Sequence, residues 1–156
     1  GQGDVTCTPL QLCNLAATIA NRGWYFVPHI HQDTKNERYL KKRHTKVKPE
    51  AYAPVIEGMR LAVENGTATS IKTTYPICGK TGTIENPGED HSAFIAFAPM
   101  DNPKIAISVY VEHGGFGADL AAPMAGLIIE QYLKGKLSDA SKAKAKRISK
   151  RKIIYG

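Results

Sequence analysis

Cysteine, tryptophan and long apolar runs are scarce in this chain of 156 residues, which holds three cysteines and one tryptophan. Cys7, Cys13 and Cys78 are too few and too scattered for a disulfide framework, and none stands in CxxC spacing. They read as small buried apolar residues. No apolar run is long enough for a membrane helix, and the opening GQGDVT has neither a basic region nor an apolar one. No span or signal peptide is therefore expected within these residues, although a longer chain could carry one upstream. Aromatic residues make up 8%, with no basic patch interleaving them, so Trp24 and Tyr110 read as packing residues rather than a base-stacking platform. Apolar residues at 42% and charged residues at 22% are ordinary globular usage, which disfavours collagen-like, wholly disordered and coiled-coil chains. The length fits one domain with a real core.

The net charge of +7 suggests a nucleic-acid partner until it is divided along the chain. Residues 134–156 hold nine lysines and arginines against one acid, Asp139, whereas residues 1–133 are nearly neutral. The basic character belongs to a tail, so no groove for phosphates is expected in the body and no nucleic-acid partner follows.

Thr8-Pro9-Leu10-Gln11 opens a helix: a threonine N-cap, proline at the first helical position, and glutamine placed to complete a capping box. The helix runs through LQLCNLAATIAN, apolar on most faces and hence destined for a core, and stops at Gly23. An extended WYFVPHI follows, and residues 32–48 are polar, a solvated loop or short hairpin. After Pro49 an apolar stripe of Val55, Ile56, Met59, Leu61, Ala62 and Val63 predicts a second helix ending at Gly66. The period then changes to two. YPICGKTGTI, HSAFIAFAP and KIAISVYVEH read as strands, the last two joined by the turn Pro99-Met100-Asp101-Asn102-Pro103 into an antiparallel hairpin. Gly114-Gly115-Phe116-Gly117 breaks the third strand, and Ala121 to Leu133 forms a final helix with Leu127, Ile128 and Tyr132 inward. The body is residues 1–135; the basic tail 136–156 is expected to remain disordered. Helices on an antiparallel sheet make this an α+β fold.

The chemistry points to Gly79-Lys80-Thr81-Gly82-Thr83 in the first of these strands. Two glycines there waste β propensity and mark a bulge or a close backbone approach, which a ligand could supply. Lys80 and the hydroxyls of Thr81 and Thr83 offer a cation and donors beside an open edge, suited to a carboxylate and an extended peptide. A phosphate-binding P-loop is excluded, because Thr74 stands where its first glycine belongs and Gly82, Pro87 and Gly88 interrupt the required helix. Taken alone, GKTGT reads better as a kinked edge strand with a surface lysine. His29 and His31 alternate on an extended segment without a third ligand at metal spacing, and His91 reads as a surface or hydrogen-bonded residue. No cofactor or metal is implied.

Context gives the motif its meaning. In order along the chain stand Gly1-Gln2-Gly3, TPLQL with ATIANRG, EGMRLAVENGTA, GKTGT, HSAFIAFAPMDNPKIAISVYVEHGG and AAPMAGLIIEQYL. These blocks resemble the transpeptidase domain of class B penicillin-binding proteins, most closely the cell-elongation branch known as penicillin-binding protein 2. The resemblance covers nearly the whole folded length but not all of the family pattern. Of the signature SxxK, Ser-x-Asn and K-T-G, only the third is evident. No serine stands three residues before a lysine in a helical context suited to the nucleophile, and Ser138, Ser141 and Ser149 belong to the tail. The chain thus looks like the C-terminal half of the domain, with serine, base and second motif upstream.

The resemblance implies a serine-type D,D-transpeptidase of peptidoglycan stem peptides, acylated by β-lactams, on the outer side of the cytoplasmic membrane and working with the cell-elongation machinery. It implies that Lys80 orients the substrate carboxylate, that Thr81 and Thr83 bind it, that Gly82 keeps the strand bare, and that the Thr83 N–H is one oxyanion donor. A piece lacking the nucleophile is expected to be inactive alone and to self-associate through uncovered apolar surface. A reading from another class is a non-catalytic binding module that holds an acidic partner by the sheet edge or the basic tail.

Overall fold

The computed structural model describes residues 4–71 and 73–153; the Gly1-Gln2-Gly3 block lies outside them. Helix α1 spans Pro9–Ala20 and opens on the expected capping box: the Thr8 N–H donates to Gln11 Oε1 at 2.8 Å and the Gln11 N–H to Thr8 Oγ1 at 3.3 Å. Strand β1 (Trp24–Tyr25) pairs antiparallel with β2 (Arg43–His44), and the short helix α2 (Glu37–Leu40) fills the polar stretch between them. Lys42 closes this ribbon, its Nζ 4.0 Å above the Trp24 ring. Helix α3 spans Tyr52–Glu64, preceded by a 3₁₀ turn at Pro49–Ala51.

The sheet has three antiparallel strands, β3 (Cys78–Ile84), β4 (His91–Ala98) and β5 (Ile105–Val111), in that order. Pairing of β3 with β4 runs from Cys78↔Phe97 to Ile84↔His91 without a bulge. Gly79 therefore marks a close approach rather than a kink. Gly79 faces the Phe94 ring, where an added Cβ would lie 2.3 Å from Cζ.

Alternation along the strands splits the core into two layers. Phe94, Ala96, Ala98 and Ile107 pack against helix α4 (Ala121–Lys134), with Val63, Ile71 and Ile77. On the other face Cys78 and Phe97 pack with Ala20, Tyr52, Ile56 and Met59 of α1 and α3. Within α4 the inward stripe is Ala122, Ala125 and Ile129, with Leu133 beside it, and not the expected Leu127, Ile128 and Tyr132. Ile128 and Tyr132 are exposed, and Leu127 is only partly buried. The helix offers two apolar stripes, and small alanines let its backbone lie close against β4. The cysteines also divide: Cys78 is buried, Cys13 half-buried and Cys7 exposed, so only Cys78 fully meets the expectation of a small core residue.

A second correction concerns the basic tail, which carries helix α5 (Asp139–Ser149). Alanine, lysine and arginine are strong helix formers, and Ser138 caps the N-terminus. The helix docks through Glu130, whose carboxylate accepts from the Ser138 N–H at 3.2 Å and from Ser141 Oγ. Lys144 Nζ adds a 2.6 Å bond to the Ser70 carbonyl. Composition alone hides this anchor, because the buried acceptor lies on α4.

Hydrogen bonding from Ser141, reinforced by Ser138, holds the Glu130 carboxyl below the ordinary glutamate range against the opposing effect of burial. A depressed folded value contributes stability above the unfolded value of about 4.3, and that contribution is lost as pH falls through the folded one. Glu130→Ala is expected to raise amide exchange over residues 138–149 by about tenfold or more at neutral pH, leaving β3–β5 protected. Acidification below pH ~4 is expected to do the same to the native chain. Unchanged exchange in Glu130→Ala would show that the anchor is elsewhere.

Candidate active site

The motif strand β3 is an edge of the sheet, so alternate N–H and C=O groups along it have no strand partner among the described residues. Residues 80 and 82 alternate with 81 and 83, which sends them to different faces. On the α1 face Lys80 and Gly82 border a cleft of about 450 Å³, floored by Ala93, Ile95 and Tyr110 and rimmed by Thr6, Cys7, Pro9 and Leu12. The Lys80 side chain is exposed and its Nζ donates to the Thr81 carbonyl at 2.8 Å. Among the described residues no carboxylate pairs with it, so its charge is available to an incoming carboxylate.

Thr81 and Thr83 also border the cleft, but their hydroxyls are held by neighbours. Thr81 Oγ1 lies 2.9 Å from Thr67 Oγ1. Thr83 Oγ1 accepts from the Gly117 N–H at 3.4 Å, which leaves its own proton to donate. Gly117 thus belongs to the site's support. A Cβ there would stand 2.5 Å from both the Gly82 and Ala93 carbonyl oxygens, so only glycine lets this loop lie flat beneath the motif. At Gly82, by contrast, the space a Cβ would take is bounded only by ordinary contact with Ala93, and the strand's cleft side stays open.

Buried Ser92 fixes that loop. Its Oγ donates to the Phe116 carbonyl at 2.9 Å and accepts from the Ala121 N–H at 3.0 Å, tying the loop to the start of α4. From sequence the Gly114–Gly117 stretch looks only like a strand breaker; its three glycines in four residues are the signal of close backbone packing. Tyr110, expected to be a packing residue, lines the cleft and is 40% exposed. Burial, with Glu112 nearby, pushes its hydroxyl up from the usual tyrosine range. His91, placed next to it at 5.5 Å between ring centroids, accepts from the His113 N–H through Nδ1 at 2.9 Å, a hydrogen-bonded residue as anticipated.

Of the other nucleophile candidates, Cys78 and Ser141 stand away from this cleft, whereas the exposed Cys7 is on its rim. Burial drives the Cys78 thiol up to about 12, so it is inert at neutral pH. Ser141 does stand three residues before Lys144 on a helix, a context the sequence did not reveal. Its Oγ is nevertheless tied to Glu130, and with Lys144 it borders a separate hollow of about 70 Å³ between α4, α5 and Thr73. His29 bonds the Val27 carbonyl through Nδ1 at 2.9 Å, and among the described residues no three His, Cys, Asp or Glu gather to hold a metal.

Comparison with known proteins identifies the family. Residues 1–130 match the family model of the penicillin binding protein transpeptidase domain. The peptidoglycan D,D-transpeptidase MrdA of Acinetobacter baumannii is 35% identical over 151 residues, covering 80% of this chain and 22% of that protein. The imipenem acyl-enzyme complex of penicillin-binding protein A from M. tuberculosis superposes with a TM-score of 0.69 at 35% identity, over 85% of this chain and 32% of that one. Penicillin-binding protein 2 of Helicobacter pylori, in complex with MreC, gives 0.73 at 27% identity, over 88% and 26%. The chain therefore spans about a fifth to a third of the length of such relatives. An edge strand bearing Lys80-Thr81-Gly82 beside an open cleft, inside a match that runs through β3, β4, β5 and most of α4, places this chain in the penicillin-binding protein transpeptidase domain family.

Proposed function

We propose that residues 1–135 are the C-terminal half of the transpeptidase domain of a cell-elongation peptidoglycan D,D-transpeptidase, a penicillin-binding protein 2. The observation that carries this reading is Lys80 and Gly82 facing one cleft from an open-edged strand, in a chain matched to the family over residues 1–130. The nucleophile is a serine in the sequence preceding Gly1. Its hydroxyl adds to the penultimate D-alanine carbonyl of a stem peptide, the bond to the terminal D-alanine breaks, and that residue leaves with a proton on its amine. A neighbouring stem's amine then attacks the acyl-serine, forming the cross-link and returning the serine proton.

This chain supplies the substrate-binding wall. Lys80 attracts and orients the donor's terminal carboxylate, and Thr81 and Thr83 give it hydroxyl hydrogen bonds, the Thr83 proton being left over by its bond from Gly117. The Thr83 N–H, with the serine's own N–H, holds the oxyanion of the tetrahedral intermediate. β-Lactams enter as mimics of the donor. By analogy with the Helicobacter pylori complex of penicillin-binding protein 2 with MreC, the whole protein joins an MreC-like partner of the elongation machinery, and the family resemblance puts this domain outside the cytoplasmic membrane.

Fluorescent penicillin is expected to label the full-length protein once, at a serine upstream of Gly1 identified by peptide mapping. A label on any residue of this chain, or none with the protein folded, would overturn the reading.

A further inference from the structure

The family match ends at residue 130, and α5 lies beyond it. The helix is laid flat along α4 by Glu130 and by the bond from Lys144 to Ser70. Ser141, Lys144, Ala145 and Ile148 are partly buried on its inner side. Lys142, Lys146, Arg147 and Lys150 are exposed, and four-residue steps align the three lysines at intervals of about 6 Å. Arg151 extends this cationic strip to the Gly115 loop, where its Nη2 is 3.6 Å from the space a Gly115 Cβ would take. The single acid of residues 134–156, Asp139, pairs with Lys142 at 2.9 Å in an exposed contact of little strength.

What the strip lacks narrows the partner. Its remaining exposed helical positions include Ala140, Ala143 and Ser149, with no large apolar side chain, whereas a helix lying in a membrane surface sinks an apolar face into the acyl boundary. Ile148 is instead turned toward the protein. With its back against α4, the helix is also unable to enter a duplex groove about 12 Å wide. No aromatic residue stands on it to stack a base.

We propose that α5 is a docking strip for a flexible linear polymer carrying closely spaced phosphates, held charge by charge through its backbone. The strip keeps such a polymer beside the domain independently of the acylation chemistry.

Inorganic polyphosphate is the probe, titrated into the full-length protein across a salt series. Binding is expected to weaken with salt at a slope of about −0.7 in log K per phosphate contacted. K142Q/K146Q/K150Q, which keeps helix propensity, is expected to reduce the slope by about 2, while K142R/K146R/K150R restores it. Both variants should acylate with penicillin as the native protein does. An unchanged slope in the Gln variant, or equal loss in the Arg variant, would overturn the proposal. So would tighter binding to an oligothymidylate of equal phosphate number, to duplex DNA or to anionic phospholipid vesicles, which would assign the strip to nucleic acid or to a membrane.

Discussion

Lys80→Ala in the full-length protein is expected to slow acylation by penicillin by about 10²-fold or more, in the range lost when a preorganised donor is removed from a transition state. Lys104→Ala is the matched control. Both side chains are exposed, and both lysines stand on or beside strands of the same sheet. Only Lys80 borders the cleft, between two glycines on the open-edged strand; Lys104 precedes β5 in the turn, where its N–H donates to the Ala98 carbonyl at 2.8 Å. The loss should appear in the rate of the acylation step, read by stopped-flow quenching with a fluorescent penicillin. Equal rates for the two variants would remove Lys80 from its assigned role.

The 156-residue chain by itself is expected to gain no covalent mass from penicillin, an all-or-none result read by intact-mass spectrometry. Opening a β-lactam ring needs a nucleophile; among the described residues no serine borders the cleft, and the thiol on its rim, Cys7, has no hydrogen-bonded base. Lys80 donates to a backbone carbonyl, and Cys78 is buried. Ser141 presents the spacing of a nucleophile and its lysine, but Lys144 is turned to the Ser70 carbonyl rather than to Oγ, and the Ser141 hydroxyl is engaged by Glu130 in the hollow between α4 and α5, away from the Lys80 cleft. A stoichiometric adduct on the folded chain, mapped to Ser141, would make α5 the catalytic helix and would refute the assignment of the nucleophile to upstream sequence.

Several elements were legible because their signals are local. Thr8, Pro9 and Gln11 satisfy the first N–H groups of α1 within four residues, so no distant partner is needed. The alternation of β3, β4 and β5 and the proline-bounded turn between the last two likewise specify an antiparallel sheet from neighbouring residues. The glycines around Lys80 mark an unusual strand locally, and they do so without any distant partner.

Tertiary structure decided what local pattern leaves equivalent. Leu127, Ile128 and Tyr132 are as apolar as the stripe that was buried, but the closeness of α4 to β4 selects Ala122, Ala125 and Ile129. The order of α5 depends on a carboxylate eight residues away from Ser138 and on a carbonyl 74 residues from Lys144. Gly79 serves the Phe94 ring and Gly117 serves the backbone of Gly82, two close approaches that no spacing along the chain records. Sequence by itself determined α1, α3, α4, the three-stranded sheet and the α+β class, and singled out Lys80, Thr81, Gly82 and Thr83 as candidates, because hydrogen bonding and periodicity act over a few residues. Which faces meet, what anchors the basic helix and which groups share the cleft with Lys80 depend on shape and partners brought together only by folding.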